Sequence, residues 1–149
     1  MKARLATKAV TTLLVVVAAW ASSAQAQTAV NWNGGNGNWS ASADWSGGVV
    51  PNNGGGKTYN VTISNGTAET VTLDLGVTIS DLTLGTSAIL QSSGNNSLTI
   101  ASGGTFTNNG TLNFNTGSNV VTIQSGGTLN NNGSMTFLSA VARGSKLKP

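Results

Sequence analysis

Residues 98–114 read LTIASGGTFTNNGTLNF, and residues 121–137, which lie 23 positions later, read VTIQSGGTLNNNGSMTF. Ten of the 17 aligned positions are identical, and the apolar positions that differ exchange one hydrophobe for another, as Leu98 for Val121 and Phe106 for Leu129. A composition rich in Asn, Gly, Ser and Thr produces chance matches among those residues, but it does not keep the apolar positions in step. The two stretches therefore form an internal repeat, and a repeat of this length is typical of a solenoid.

Each repeat unit contains three short segments in which apolar and polar residues alternate, and turn residues separate these segments. Leu98 and Ile100 flank Thr99, which is the period-two pattern of a half-buried strand. Strands this short bury too little surface to be stable alone. Stacking solves the problem, because each strand pairs in parallel with its counterpart about 4.8 Å away and the inward residues form continuous columns. We therefore predict an all-β fold, a parallel β-helix (solenoid) of about four coils.

A weaker form of the pattern extends upstream of the repeat. The sequence VTIS at residues 61–64 recurs at residues 77–80, with VTL at 71–73 between them and LTL at 82–84 after them. Leucine-rich repeats have a similar length, but their fixed leucine and asparagine spacing is absent, and no segment shows an amphipathic helical period. We therefore assign the β-helix repeats to residues 57–138.

The turn residues predict the geometry of the corners. Glycine adopts positive φ without a steric clash, so we expect left-handed glycines there, at Gly103, Gly104, Gly110, Gly126, Gly127 and Gly133. Asparagine also tolerates this region, and stacked asparagines can bond amide to amide between coils. We expect such ladders at Asn108, Asn109, Asn131 and Asn132. A ligand site formed by these amides is the less favoured interpretation.

The composition excludes most catalytic chemistry. Gly, Thr, Asn and Ser account for 75 of the 149 residues, whereas charged residues make up only 7%. The chain contains no His and no Cys, which removes histidine general-base catalysis, thiol nucleophiles and His or Cys ligation of zinc. We therefore expect a protein that is not an enzyme, with no catalytic residue, no metal and no cofactor. Stability must come from backbone pairing and a thin core, since no disulfide can form.

The formal charge of +3 comes from the two ends of the chain. Six of the seven cationic residues lie within residues 2–8 or 143–148, and only Lys57 lies between them. The stretch from residue 27 to residue 141 carries a formal charge of −3. The body of the protein thus has no basic face, and we expect no nucleic-acid partner.

The first 26 residues have the pattern of an export signal. Lys2, Arg4 and Lys8 precede an apolar run at residues 9–21, and the small-residue site Ala24-Gln25-Ala26 follows. Cleavage after Ala26 would leave Gln27 as the new N-terminus. The apolar run has 13 residues, whereas a transmembrane helix needs about 20. We therefore predict a cleaved signal peptide and a location that is secreted or at the cell surface.

The segment after the signal, residues 27–56, is rich in Trp, Gly and Asn. It reads WNGGNGNW at residues 32–39, then ADW at 43–45 and GVVP at 48–51. This opening resembles that of large bacterial exported β-helix proteins, namely autotransporter passenger domains of the adhesin type and surface proteins with a PEP-CTERM sorting tail. The resemblance covers residue 31 to about residue 138, and it implies a right-handed β-helix with the Trp-rich segment as its N-terminal cap.

The resembled proteins also carry C-terminal features that do not appear in this sequence. They normally run for several hundred residues and end in an outer-membrane barrel or an apolar sorting helix. Here a basic tail without either pattern, residues 139–149, follows the repeats. We therefore expect a truncated N-terminal fragment, whose membrane attachment would depend on a missing C-terminal anchor. The partners that the resemblance implies are a polysaccharide or a ligand on a host or cell surface.

Three tryptophans of this segment allow two interpretations. Trp32, Trp39 and Trp45 are aromatic side chains with a polar edge, the kind that carbohydrate-binding surfaces use. They also suit a cap over the first coil, because the open end of a solenoid needs covering. We favour the cap. The glycines at 34, 35 and 37 begin like a calcium-binding nonapeptide, but Trp39 occupies the position that should be Asp, so the match fails.

The carboxylates of the repeat region do not suggest catalysis. Glu69, Asp74 and Asp81 are its only acids. Asp74 and Asp81 are close enough in sequence to meet, but no Arg accompanies them to stabilise developing charge. The simpler interpretation is that these are isolated carboxylates that keep the protein surface hydrated.

These observations favour a non-enzymatic secreted or cell-surface β-helix scaffold of the adhesin or extracellular-matrix type. The alternative is a carbohydrate-active β-helix protein, which either binds polysaccharide or is a lyase or hydrolase fragment without its catalytic part. Ice binding is the least favoured function, because the outward threonines are single rather than paired as Thr-x-Thr, at Thr62, Thr78, Thr99 and Thr122.

The end of the repeat region predicts self-association. After Phe137 the tail contains three cations and one proline, which discourage edge pairing but supply too little apolar surface to cover a core. We expect the last coil either to pair with other chains or to fray.

Overall fold

The computed structural model of the protein describes residues 26–138, and almost all of their regular structure is β-strand. The strands are β1 (Gln27–Asn31), β2 (Gly37–Asn38), β3 (Thr58–Ile63), β4 (Glu69–Leu73), β5 (Val77–Ile79), β6 (Asp81–Leu84), β7 (Ala88–Ser92), β8 (Ser97–Ile100), β9 (Thr105–Asn108), β10 (Thr111–Phe114), β11 (Val120–Ile123), β12 (Thr128–Asn131) and β13 (Ser134–Phe137). Two 3₁₀ turns, Ser42–Asp44 and Ser46–Gly48, are the only helical elements in this part of the chain. Over residues 26–138, no helix is long and apolar enough to cross a bilayer.

The strands form three parallel sheets that wrap around one axis. The first sheet has the order β1-β3-β6-β9-β12, the second β2-β4-β7-β10-β13 and the third β5-β8-β11. Consecutive strands therefore lie in different sheets, and each strand pairs with its counterpart one coil away. The predicted parallel β-solenoid is confirmed. Among the residues that the structure describes, three coils are complete, and β12 and β13 supply two sides of a fourth; the handedness stays a prediction.

The register keeps equivalent residues stacked although the coils differ in length. Val61 pairs with Leu82, Leu82 with Phe106 and Phe106 with Leu129, which are 21, 24 and 23 residues apart. The 23-residue period read from the sequence thus applies only to the last coils. Earlier coils change their turns and keep the strand register, because a slip of one residue would turn every apolar side chain outward.

The core consists of the inward columns that the alternation predicts. Leu98 and Ile100 are completely buried, and Thr99 between them is only partly buried on the outer face. Each fully buried aliphatic side chain contributes about 1.5–3 kcal/mol of transfer free energy. The columns of the three complete coils are continuous and mostly apolar, with Glu69 and Asn108 as buried polar members. They end in a last coil whose inward side chains are far more exposed. Leu129 is 42% exposed and Phe137 46%, whereas Phe106 in the preceding coil is fully buried.

The corner glycines have two different physical roles. Gly103 and Gly126 adopt positive φ, as predicted. The other four, Gly104, Gly110, Gly127 and Gly133, lie outside the left-handed region, so the prediction is wrong for them. A Cβ at Gly104 would lie 1.9 Å from the carbonyl oxygen of Ser80, and one at Gly133 would lie 2.0 Å from that of Gly110. At these corners glycine is needed because neighbouring backbone or side-chain atoms lie too close to leave room for a β-carbon.

The predicted asparagine ladders are present. Asn108 Nδ2 donates to Asn131 Oδ1 at 2.7 Å, and Asn132 Nδ2 donates to Asn109 Oδ1 at 3.0 Å. These asparagines do not use the left-handed region, because no described residue other than glycine has positive φ. They act as side-chain bridges between coils.

Candidate functional site

The predicted signal cleavage site lies at the edge of the described residues. Ala24 falls outside them, whereas Ala26 is exposed and directly precedes β1, which begins at Gln27. Cleavage after Ala26 stays a prediction. A cut at this bond would leave β1 whole and would not interrupt its pairing with β3.

The three tryptophans form one buried cluster at the N-terminal end of the core. Trp32, Trp39 and Trp45 are 1%, 0% and 2% exposed. Trp45 packs edge-on against both others, with ring centroids 4.8 Å apart in each pair. Every indole N–H is used within this segment, since Trp45 donates to the carbonyl of Trp39 at 2.7 Å, Trp39 to that of Pro51 and Trp32 to that of Gly35.

The cluster continues the inward columns of the solenoid. Trp32 follows Asn31, the partner of Thr62, so its ring lies in register with Ile63. Trp39 follows Asn38, the partner of Thr72, so its ring lies in register with Leu73. This arrangement favours the cap. A carbohydrate platform needs an exposed ring face, and the three rings have none.

The glycines between the tryptophans are explained by the same packing. A Cβ at Gly34 would lie 2.9 Å from Asp44 Cγ, and one at Gly37 would lie 2.8 Å from Asp44 Oδ2. The segment folds back on itself through the carbonyl of Asp44, which accepts from Asn33 N at 2.7 Å. The Trp- and Gly-rich motif is therefore a packing motif in this structure.

Two of the carboxylates connect neighbouring turns of the solenoid. Asp74 accepts hydrogen bonds from Ser40 N at 3.0 Å and from Ser40 Oγ at 2.5 Å, which ties the first complete coil to the N-terminal segment. Asp81 accepts from Thr105 N at 2.7 Å, which ties the second coil to the third. The surface-solvation interpretation is thus incomplete for these two residues, because both accept bonds from backbone N–H groups.

Glu69 occupies an unusual position that the sequence reasoning missed. It is the first residue of β4, faces inward and is 1% exposed. Its Oε1 accepts from Asn65 N at 3.2 Å, whereas its Oε2 is buried with no hydrogen-bond partner. Burial raises the pKa of this carboxyl above its ordinary value of 4.5, and the bond from Asn65 lowers it by less. The period-two pattern was a usable signal, because Glu69 shares its face with Val71 and Leu73.

A cavity of about 70 Å³ opens beside this carboxylate. It is lined by Ser64, Gly66, Thr67, Glu69, Thr86, Ser87 and Ala88. Turn lengths explain why it lies there. The turn between the first and second sheets spans residues 64–68 in the first coil, 85–87 in the second and only 109–110 in the third. The longer first turn extends beyond the shorter second turn. Glu69 has room in the core because its register partner in β7 is the small residue Ala88.

The outer faces of the sheets carry ladders made mostly of uncharged polar side chains. Thr78, Thr99 and Thr122 stack in register on the third sheet. Thr62, Thr83 and Thr107 do the same on the first sheet, where the neighbouring outward column includes Asn60 and Asp81. The threonine columns are not paired over several coils, but β4 and β9 each carry an outward Thr-x-Thr pair, at Thr70 and Thr72 and at Thr105 and Thr107. The prediction of single threonines is therefore wrong for these two strands.

Comparisons of the chain with protein-family models, with curated proteins and with solved structures gave no match. The strand pairing establishes the fold. The function has to be argued from the surfaces and the cavity that this fold presents.

Proposed function

We propose that the chain is a non-enzymatic scaffold, secreted or at the cell surface, of the adhesin or extracellular-matrix type. The observation that carries the proposal is the set of threonine ladders on the outer faces. Along each ladder, equivalent hydroxyl groups repeat at the coil spacing of about 4.8 Å on a rigid sheet. Hydroxyls donate and accept hydrogen bonds, so such a face offers many equal contacts to an extended polymer.

The proposed partner is a polysaccharide or another polymer on a cell surface. Single hydroxyl contacts are weak, but a polymer that meets several of them at once gains from effective concentration. The buried tryptophans give no support to the carbohydrate-active alternative. Asp74 and Asp81 are both used as acceptors between neighbouring turns of the solenoid, which supports the non-enzymatic part of the proposal.

Sedimentation of the full chain with insoluble polymers tests the proposal. Cellulose, chitin and fixed bacterial cells are the probes, and the bound fraction is measured by densitometry. We expect saturable binding to at least one of them. Thr83→Lys and Thr99→Lys place a cation in the middle of a ladder on the first and third sheets respectively, and at least one of them should weaken binding severalfold.

Asn115→Lys is the matched control, because Asn115 is exposed in the loop between β10 and β11 and lies off the ladders. Equal losses for all three variants would mean that added charge, rather than the ladder, weakens binding. Absence of binding to every probe would overturn the adhesive role. Release of soluble sugar from any of the probes would overturn the non-enzymatic role.

A further inference from the structure

The carboxylate of Glu69 is buried at the wall of a polar cavity with one oxygen unpaired. None of the other residues that line the cavity carries a charge, since they are Ser, Thr, Gly and Ala. A buried carboxylate without a counter-charge is strongly unfavourable unless it is protonated or paired. We propose that this cavity binds a divalent cation, and that Ca²⁺ is the ion its donors suit best.

The donor set consists only of oxygen. Besides the Glu69 carboxylate, the hydroxyl-bearing residues Ser64, Thr67, Thr86 and Ser87 line the cavity. Oxygen ligands suit hard cations, whereas nitrogen and sulfur ligands suit softer transition metals. Ca²⁺ tolerates irregular sets of carboxylates, neutral oxygens and waters, whereas Mg²⁺ demands near-octahedral geometry and gives up its waters reluctantly. Donors contributed by two turns of different length fit the less demanding ion.

The size of the cavity also points to an ion. Pockets for organic ligands commonly measure about 300–1,000 Å³, and this cavity measures about 70 Å³. A single water occupies about 30 Å³ of liquid volume. The space is therefore too small for a typical organic ligand and large enough for a hydrated ion.

The site is connected to the N-terminal cap. Asn65 donates from its backbone N to Glu69 Oε1 and from its side-chain Nδ2 to the carbonyl of Gly34 at 3.0 Å. Gly34 in turn lies against Trp32. A cation held by Glu69 would therefore order the turn at residues 64–68, which is hydrogen-bonded to the tryptophan segment through Asn65. It would thereby stabilise the folded protein.

The expected affinity is weak. In the part of the chain that the structure covers, no three acidic side chains come together, so one carboxylate supplies the only formal charge. Extracellular modules with few charged ligands bind Ca²⁺ with Kd of about 10⁻⁴–10⁻³ M. Such a site would be filled only where free Ca²⁺ is millimolar.

Calorimetric titration and thermal unfolding of the full chain at neutral pH test the proposal, with CaCl₂ as the probe after treatment with a chelator. We expect measurable binding heat with Kd of about 1 mM. We also expect an increase in Tm of about 4 °C at tenfold excess over Kd. E69Q keeps the shape of the side chain and removes its charge, and it should lower the affinity at least tenfold and abolish the Tm increase.

Asp81→Asn is the matched control, because it removes one negative charge outside the cavity and should keep the full Ca²⁺ response. T86V removes one lining hydroxyl from an exposed residue and should weaken binding severalfold. This variant still tests the proposal if E69Q fails to fold. An unchanged wild-type Tm with no binding heat would overturn the proposal. The same holds if NaCl at equal ionic strength gives the same Tm increase, or if both cavity variants respond like the wild type.

Discussion

Asn108 lies completely buried in β9 and donates a 2.7 Å hydrogen bond across the coil boundary to Asn131 Oδ1. Its Nδ2 also donates to the carbonyl of Ser134, and its Oδ1 accepts from Gly110 N at 3.2 Å. The same inward column carries Leu84 one coil earlier. The column thus changes from apolar contact to amide bonding at the coil where solvent begins to reach the core.

The first prediction concerns this amide. Asn108→Ala removes three hydrogen bonds and leaves the buried N–H of Gly110 without this side-chain acceptor, so we expect a loss of about 2–3 kcal/mol in the free energy of unfolding. Asn109→Ala breaks only one side-chain bond, to Asn132, which is exposed, and should lose less than about 1 kcal/mol. Urea denaturation followed by circular dichroism measures both. Similar losses would show that the buried ladder has no special role.

The second prediction tests the inward and outward faces of β8. Ile100→Asp places an unpaired charge in a fully buried position, so we expect a loss of several kcal/mol in the free energy of unfolding, about the level that prevents folding. Thr99→Asp faces outward and should lose about 1 kcal/mol or less. Ile123→Asp should lie between them, because Ile123 is only half-buried in β11, the last strand of the third coil. Equal losses at residues 99 and 100 would contradict the assignment of faces.

The third prediction is a pH dependence caused by Glu69. Its pKa is raised in the folded protein, so the folded state binds the proton more tightly than the unfolded state. Without divalent cations, the contribution of Glu69 to stability should therefore be fully present below the ordinary pKa of 4.5. It should fall as the pH rises toward the raised pKa, and the loss should be complete above it.

The E69Q variant isolates this effect from the titration of the other acids. The difference in unfolding free energy between E69Q and the wild type should grow in favour of E69Q as the pH rises from about 4 to about 8. Urea midpoints measured in a chelator across this range provide the test. A constant difference would mean that Glu69 has the same pKa in both states.

The fourth prediction concerns the exposed last coil. Leu129 and Phe137 occupy inward columns and are nearly half exposed, and β11, β12 and β13 lie at the edges of their sheets. The tail, residues 139–149, lies outside the described residues. We expect the full chain to self-associate, with sedimentation coefficients that increase with concentration. Leu129→Lys should shift the distribution toward monomer, because a charge at an edge opposes pairing. A concentration-independent monomer in the wild type would contradict this prediction.

The fifth prediction separates the two roles considered for the tryptophans. Trp45→Ala removes the ring that contacts both Trp32 and Trp39, so we expect a loss of about 3–5 kcal/mol in the free energy of unfolding. Trp39→Phe should cause a smaller loss and leave polymer binding unchanged. Reduced polymer binding by a Trp39→Phe variant that is still folded would revive the carbohydrate-contact interpretation.

The strands were predictable because their signal is local. In most strands Val, Ile, Leu or Phe alternates with Thr or Asn, and a period of two identifies the inward face without knowledge of the neighbours. The repeat identified the partners for β8 and β11, where Leu98 and Val121 lie one period apart. Parallel stacking then follows from the shortness of the strands.

The site was not predictable to the same degree, because it depends on how turns of unequal length meet. The cavity beside Glu69 exists only because the turn at 64–68 is longer than the turn at 85–87, and no periodicity reveals that mismatch. The role of Gly104 likewise depends on the carbonyl of Ser80 in the neighbouring coil. Contacts between coils of different length require the three-dimensional register.

The narrowing of the corner between the first and second sheets gives the solenoid an uneven tolerance for inserted sequence. At residues 109–110 and 132–133 the corner has two residues, and Gly110 and Gly133 lie against the backbone of the coil before them. An added loop there would force neighbouring coils apart. At residues 64–68 the chain already leaves the body of the rod, and Gly66 has open space around it. Evolution or an engineer could therefore lengthen this corner sideways near the N-terminal end of the solenoid, whereas the same corner has no room for added residues in the later coils.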